Sequence, residues 1–165
     1  MFALSKSFPA ASKPELYAEL QRQALGLLQG ERDAIANAAN LASLIFHTLP
    51  DLNWAGFYRM AGGELVLGPF HGKPACVRIA LGSGVCGTAA RDRRTIVVPD
   101  VDEFPGHIAC DSASRSEVVV PIVHRGDVIG VLDLDSPKLA RFDDTDARAL
   151  EGLVQAYLAA SDLPD

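Results

Sequence analysis

The sequence predicts an α+β domain in which a central antiparallel sheet of about six strands is flanked by helices. Three observations support this. Two segments with helical spacing of apolar residues occupy about 14–48, strand-like segments joined by short turns fill about 53–135, and a last helical segment covers about 143–160. Adjacent strands joined by tight turns pair antiparallel, and helices grouped outside such strands are typical of the α+β class. We expect one domain spanning residues 1–165.

Two helices are predicted near the N-terminus. Ser12 and Glu15 have the spacing of a capping box, and the leucines that follow have helical spacing as far as Gly30. A second apolar stripe of helical period predicts a helix over 31–47, and Pro50 ends it.

The first hairpin follows these helices. Residues 54–58 are aromatic and apolar, and 64–70 return as a second strand after the turn signal Gly62-Gly63. Residues 76–81 alternate enough to predict a third strand.

A short helix over 85–90 and a short strand over 95–98 come next. Residues 99–116 show no regular period and are predicted to form a long loop. Loops of this length in compact domains usually have a function.

The second hairpin is predicted from strong strands at 117–123 and 128–135, separated by the turn 124–127. The acidic run 143–146 then favours a helix start, because carboxylates stabilise the positive end of the helix dipole. An amphipathic helix follows to about residue 160.

The three cysteines, Cys76, Cys86 and Cys110, lie within 35 residues of one another, and the chain contains no others. Three thiols are too few for a disulfide scaffold, and an odd number leaves one unpaired. A buried cysteine is ordinarily an inert small hydrophobe, but this concentration favours a reactive thiol with a second thiol that resolves it. Cys86 stands at the start of a predicted helix, whose free N–H groups would stabilise a thiolate.

Three acidic residues lie in the strands of the second hairpin. Glu117 opens the first strand, and Asp133 and Asp135 lie two residues apart on the second, so both point to one face of the sheet. A solvent-exposed face is the usual explanation of such a pattern. Their position beside the long loop favours a functional cluster, in which neighbouring carboxyl groups raise one another's pKa.

Other residues in this region have more ordinary explanations. Trp54 and Tyr58 share one strand face, and both are of a type that usually belongs to a core. The glycine-rich segment 82–86 offers backbone N–H groups to a carboxylate. His107 is predicted to be a loop histidine with local hydrogen bonds, and zinc is disfavoured because no Cys-x-x-Cys is present. No cofactor and no metal is predicted.

Composition excludes several partners. The chain has 165 residues and a net charge of −6, and no dense basic run occurs. Nucleic acid and anionic membranes require a basic face, so neither is expected as a partner. The first residues lack the features of a signal peptide and the chain contains no transmembrane run, so a cytoplasmic location is expected.

Several motifs together resemble one known family. They are NWAGFY, LVLGPFHGKPACVRI, GSGVCGTAA, DVDEFPGHIACDSASRSE and GVLDLDS, and the match runs from about Glu15 to the C-terminal helix. The chain resembles the free methionine-(R)-sulfoxide reductases, which have a GAF-type fold.

The resemblance implies a function for individual residues. It implies that Cys110 attacks the sulfoxide and that Cys76 resolves the product as a disulfide, while Cys86 has also been given a direct role. It implies substrate contact for Trp54 and for the three acids Glu117, Asp133 and Asp135. Free methionine sulfoxide as substrate, thioredoxin as reductant and a homodimer are further implications. The residues by themselves do not rank the three cysteines.

Two other functions fit parts of the same pattern. A GAF domain without catalysis would sense a nucleotide or another small ligand, but a sensor usually adjoins an output domain, for which this chain has no room. A redox switch would use the cysteines alone and would leave the three acids without a purpose.

Overall fold

The computed structural model describes residues 12–108 and 110–163. The prediction that no signal peptide is present concerns the first residues, which lie outside this part. The described residues form these elements in chain order: α1 Lys13–Leu28, α2 Ala34–Thr48, β1 Trp54–Ala61, β2 Glu64–Gly72, β3 Arg78–Ala80, α3 Gly84–Asp92, β4 Ile96–Val98, a 3-10 turn Val101–Glu103, β5 Ser116–His124, β6 Asp127–Ser136 and α4 Asp144–Ala160.

The strands form one six-stranded sheet in the order β3-β2-β1-β6-β5-β4, and every neighbouring pair is antiparallel. This confirms the predicted fold class. The two hairpins meet at the centre, where β1 pairs with β6, strands that are far apart in the sequence. The centre of the sheet is therefore set by long-range pairing, and the hairpins on either side of it are set locally.

Both hairpin turns need left-handed backbone at their two central residues. Gly62 and Gly63 have φ of 63° and 83°, and Arg125 and Gly126 have φ of 50° and 89°. Positive φ at both positions matches the twist of paired strands, which is why two-residue hairpins favour it. Gly62-Gly63 adopts it without steric cost, and the second turn places one non-glycine residue there.

The sheet separates two apolar clusters. Helices α1, α2 and α4 cover one face, packing against inward-facing residues of the central strands: Ala55, Phe57, Val118, Val120, Ile122, Leu132 and Leu134. The other face carries α3, which packs against a smaller cluster that includes Trp54, Tyr58, Val119, Val131 and Cys86. Because side chains alternate along a strand, the central strands β1, β6 and β5 each contribute to both clusters.

Two predicted boundaries were wrong. Helix α2 begins at Ala34 rather than at residue 31, because the side chain of Asp33 accepts a hydrogen bond from the Ala36 amide and caps the helix there. Strand β3 begins at Arg78, so Cys76 does not open a strand as predicted. The Cys76 carbonyl accepts a hydrogen bond from the Tyr58 hydroxyl at 3.0 Å.

The segment between β4 and β5 is also shorter than predicted. Strand β4 begins at Ile96, and β5 already begins at Ser116. The intervening residues contain a 3-10 turn at Val101–Glu103, whose first amides are capped by the side chain of Asp100. No helix among the described residues is both long enough and apolar enough to cross a membrane.

A cluster of charged residues around the buried Asp146 joins the N-terminal end of α1 to the N-terminal end of α4. Asp146 is fully buried in the first turn of α4. Its carboxylate accepts hydrogen bonds from the Tyr17 hydroxyl at 2.7 Å, from Lys13 Nζ at 2.5 Å and from Arg141 Nη1 at 3.0 Å. It also accepts the Asp143 amide at 2.8 Å and completes the capping box of α4.

Replacing Asp146 with asparagine is expected to destabilise the protein by about 3–5 kcal/mol, because the nearly buried Arg141 would lose its counter-ion. Urea unfolding followed by circular dichroism measures the change. Asp144→Asn, in the same turn but exposed, is the matched control and should cost less than about 1 kcal/mol. Equal midpoints for the two variants would contradict the importance of the cluster.

Candidate active site

A cavity lies between the sheet and α3, on the face opposite the three long helices. It encloses about 560 Å³, including its open mouth. Six of the seven residues singled out from the sequence line it: Trp54, Cys86, Cys110, Glu117, Asp133 and Asp135. The seventh, Cys76, is bonded to Cys110. The structure therefore brings all seven together.

Strand register explains how the polar residues converge. Trp54 on β1 pairs with Asp135 on β6, and Asp135 pairs with Glu117 on β5. The three side chains therefore form one row across three strands, on the same face of the sheet. Asp133 lies two residues before Asp135 and is diagonal to Glu117, and an oxygen of each of these two carboxyl groups lies within 4.8 Å of the other.

Glu117 and Asp133 are buried and Asp135 is half-buried, so the alternative of a solvent-exposed acidic face was wrong. Glu117 and Asp133 are only 6% and 5% exposed. Burial raises the pKa of each of the three carboxyl groups well above its ordinary range. The neighbouring carboxylates add to this effect, because like charges disfavour ionisation. Oδ1 of Asp133 is buried without a hydrogen-bond partner and is available to a bound molecule.

Cys86 corrects a prediction. It lies in the first turn of α3, as expected, but its thiol is buried and faces Glu117, with Sγ 3.9 Å from Oε1. Burial raises the pKa of this thiol well above its usual value, and the nearby carboxylates Asp133 and Glu117 raise it further. Burial and the nearby carboxylates raise the pKa of the thiol more than the helix N-terminus lowers it, so Cys86 is a neutral thiol near pH 7.

Cys76 and Cys110 form a disulfide that closes a span of 34 residues, with Cα atoms 5.7 Å apart. Cys110 is exposed and Cys76 is half-buried. The Cys110 amide donates to the Ile108 carbonyl at 3.0 Å. The disulfide therefore lies at the mouth of the cavity, where solvent and a partner can reach it.

Aromatic side chains form one wall. The indole N–H of Trp54 donates to the Lys73 carbonyl at 3.1 Å. Its ring stacks on Phe70, with centroids 5.3 Å apart, and lies 5.9 Å from the ring of Tyr58. Tyr58 is buried, as expected of a core residue, but it also lines the cavity. The Trp54 ring is thereby fixed as a flat apolar surface.

His107 was predicted to make only local contacts, and this was incomplete. Its amide does bond locally, to the Phe104 carbonyl, but its Nε2 lies 3.7 Å from Oε2 of Glu117. Burial lowers the pKa of this histidine, so the ring is neutral near pH 7. It lines the cavity beside Ile108.

Polar residues at the mouth were missed by sequence reasoning. Asn53 donates to Asp111 at 3.2 Å and to Ser114 at 3.0 Å. Lys73 lies 3.6 Å from the same Asp111 carboxylate and supplies a cation at the cavity edge. Each of these contacts joins distant segments, so the only signal was their proximity in sequence to Trp54, Cys76 and Cys110.

The glycine-rich segment before α3 also reaches the cavity. Ser83 is the N-cap residue of α3, and it lines the cavity with Gly84 and Val85. The Ser83 side chain makes no capping hydrogen bond, so the first amides of the helix are not satisfied by it. That these amides bind a carboxylate stays a prediction.

One group among the described residues has the donor atoms for a metal ion. Ligand atoms of Cys86, Glu117 and Asp133 all lie within 4.8 Å of one another. A structural zinc site takes four ligands, most often thiolates or imidazoles. Here three are offered, and burial raises the pKa of each, which disfavours the deprotonated forms that bind a metal. The absence of a metal therefore stays a prediction.

The fold and the position of the cavity define a GAF domain, and the model of the GAF domain matches residues 36–160. Free methionine-R-sulfoxide reductase from Escherichia coli is 48% identical over 92% of this chain and 93% of its own length. The enzyme of the same name from Saccharomyces cerevisiae is 44% identical, over 87% and 84%. The chain belongs to the free methionine-R-sulfoxide reductases, a family of GAF-domain oxidoreductases.

A solved structure supports this assignment. The free methionine-R-sulfoxide reductase from Neisseria meningitidis, in complex with its substrate, superposes with a TM-score of 0.92 at 46% identity. The superposition covers 97% of this chain and 95% of the other.

Proposed function

We propose that the protein reduces free L-methionine-(R)-sulfoxide to methionine, using Cys110 as the nucleophile and Cys76 as the resolving thiol, with thioredoxin as the reductant. The observation that carries this proposal is the Cys76–Cys110 disulfide at the mouth of a cavity lined by three acids, two of them buried. A disulfide is the product expected once a thiol has reduced the sulfoxide.

The cavity offers a contact for each group of the substrate. The ring of Trp54 provides an apolar surface for the S-methyl group. Asp135, the most exposed of the three acids, suits the substrate ammonium. The amides at the start of α3 and the cation of Lys73 suit the substrate carboxylate. Recognition of both charged groups excludes a methionine sulfoxide within a peptide, which lacks them.

The chemistry follows from these positions. The Cys110 thiolate attacks the sulfoxide sulfur, and a protonated carboxyl group of the Glu117–Asp133 pair donates a proton to the oxygen. Methionine leaves, and Cys110 becomes a sulfenic acid. The Cys76 thiolate then attacks Cys110 Sγ, which forms the disulfide and releases the oxygen as water. Two electrons from an external dithiol restore both thiols.

The buried acids are suited to this step. A proton donor that works near neutral pH needs a pKa in that range, and burial moves these carboxyl groups upward from their ordinary values. A sensor domain would need no redox pair at its ligand cavity. A homodimer stays a prediction.

The first test is consumption of NADPH by the protein with thioredoxin and thioredoxin reductase. We expect turnover on free L-methionine-(R)-sulfoxide and at least about a hundredfold lower kcat/KM on the (S) form, because the methyl and oxygen positions exchange. An N-acetylated, C-amidated methionine sulfoxide is the matched control for the charged groups.

Equal turnover of the free and blocked substrates would contradict the assignment of the charged contacts. Absence of turnover with every sulfoxide, under dithiothreitol as well as thioredoxin, would favour a ligand-sensing function.

A further inference from the structure

The Cys76–Cys110 disulfide limits how a protein reductant approaches. A small dithiol needs to reach only one sulfur. A protein dithiol must also place part of its folded surface against the residues around that sulfur. Transient redox complexes have interfaces at the small end of the known range, but they still bury some surface. Residues beside the disulfide are therefore covered during reduction.

Exposed apolar side chains adjoin both cysteines of the disulfide, and another follows the short strand β3 that comes after Cys76. Val77 directly follows Cys76 and is 62% exposed. Ile108 lies two residues before Cys110 and is 39% exposed, and Leu81, just beyond β3, is 44% exposed. Single exposed apolar side chains are common, but apolar groups that adjoin a reactive centre are typical of a contact surface.

The backbone holds this surface in place. The Leu67 amide donates to the Val77 carbonyl at 2.9 Å, which anchors Val77 to strand β2. Ile108 packs over the start of α3, where a Cβ on Gly84 would lie 3.2 Å from Ile108 Cγ1. A surface that is ordered before binding loses less entropy when the partner arrives.

We propose that Val77, Leu81 and Ile108 form the docking surface for the protein dithiol that reduces the Cys76–Cys110 disulfide. The partner is a protein with an exposed pair of redox-active thiols set in an apolar surface, the thioredoxin class. This inference rests on the proposed function for its purpose, but its geometry depends only on the disulfide.

The exchange balances in two steps. The first thiolate of the partner attacks one sulfur of the disulfide, forms a mixed disulfide and releases the other cysteine as a thiolate. The second thiolate of the partner then displaces the bound cysteine. Both cysteines of this protein end as thiols, and the partner leaves with an internal disulfide.

A substitution at Val77 tests docking alone, because Val77 does not line the substrate cavity, whereas Ile108 does. The purified disulfide form is mixed with reduced thioredoxin, and the second-order rate is followed by thioredoxin fluorescence, without any sulfoxide. We expect Val77→Asn to lower this rate roughly 5- to 50-fold, as loss of a central contact does. Leu81→Asn is a second variant on the same surface.

Two comparisons distinguish a loss of docking from a general disturbance of the structure. Reduction of the same variants by dithiothreitol should stay within about twofold of the parent, because a small dithiol needs no docking surface. Leu25→Asn is the matched control, since Leu25 is 55% exposed on α1, a helix on the opposite face of the sheet.

Unchanged thioredoxin rates in Val77→Asn and Leu81→Asn would overturn the proposal, and so would equal losses with thioredoxin and dithiothreitol. Because the measurement needs no sulfoxide, it can succeed even if the proposed reaction fails. If the protein reduces sulfoxide with dithiothreitol and Val77→Asn does not change the rate with thioredoxin, the proposed function would stand. The proposed docking surface would then be wrong.

Discussion

Cys110→Ser is expected to abolish sulfoxide reduction, lowering kcat by at least about 10⁴-fold, since loss of a covalent nucleophile costs up to on the order of 10⁶-fold in other enzymes. A serine hydroxyl stays protonated where a thiol ionises, and it is a poor nucleophile toward sulfur. The exposed position of Cys110 at the cavity mouth supports this choice among the three thiols.

Cys76→Ser is the informative contrast, because it removes the proposed resolving thiol and keeps the proposed attacking one. We expect one methionine released per protein, measured by rapid quench and chromatography, and then no further turnover with thioredoxin. The sulfenic acid left on Cys110 should react with dimedone and appear by mass spectrometry of the labelled peptide.

Cys86 provides the test that could reverse the assignment. Its thiol is buried and kept protonated by burial and nearby carboxylates, so it is a poor nucleophile. If Cys86→Ala lost the first methionine while Cys110→Ser kept it, Cys86 would be the attacking residue and the proposed mechanism would be wrong.

The sheet was predictable because its signals are local. The turn Gly62-Gly63 and the alternation within 128–135 each depend on residues a few positions apart, and both hairpins formed as predicted. The order of the strands also needs the pairing of β1 with β6, which no local pattern contains. The β1–β6 pairing and the strand order were therefore not predicted.

The residues of the site could be predicted from the sequence, but their burial and their electrostatic surroundings could not. Alternation placed Asp133 and Asp135 on one face, yet the same pattern describes a wet surface. Their burial results from α3 and the loop after β4 covering that face. The same covering reverses the prediction for Cys86, whose helix position favoured a thiolate and whose neighbours prevent one.

Lys73 and His107 line the cavity, and their contacts there could not be predicted from the sequence. Neither belongs to a periodic pattern, so nothing near them in sequence indicates a partner. His107 meets Glu117 across ten residues, and Lys73 meets Asp111 across thirty-eight, both through the closure of the long loop.

Glu117→Gln and Asp133→Asn are each expected to lower kcat by about 10²–10⁴-fold, the range for loss of a general acid. An amide keeps the shape of the carboxyl group but cannot transfer a proton to the departing oxygen. Because an oxygen of each of the two carboxyl groups lies within 4.8 Å of the other, the two sites are coupled, and the double variant should lose much less than the product of the single effects. Asp135→Asn is the control, and should mainly raise KM because it removes the proposed contact with the substrate ammonium.

The same acids give a stability test that does not depend on activity. Burial raises the pKa of Asp133 in the folded state above its unfolded value, so the folded protein holds a proton that the unfolded chain releases. Unfolding therefore releases protons as pH rises above the ordinary carboxyl range, and the free energy of unfolding falls with pH. Asp133→Asn removes one such proton and should weaken this fall, measured by urea unfolding between about pH 5 and about pH 8. A variant that loses activity but keeps the parent's pH slope would show that Asp133 is already ionised in the folded protein, and the proton donor would then have to be Glu117 alone.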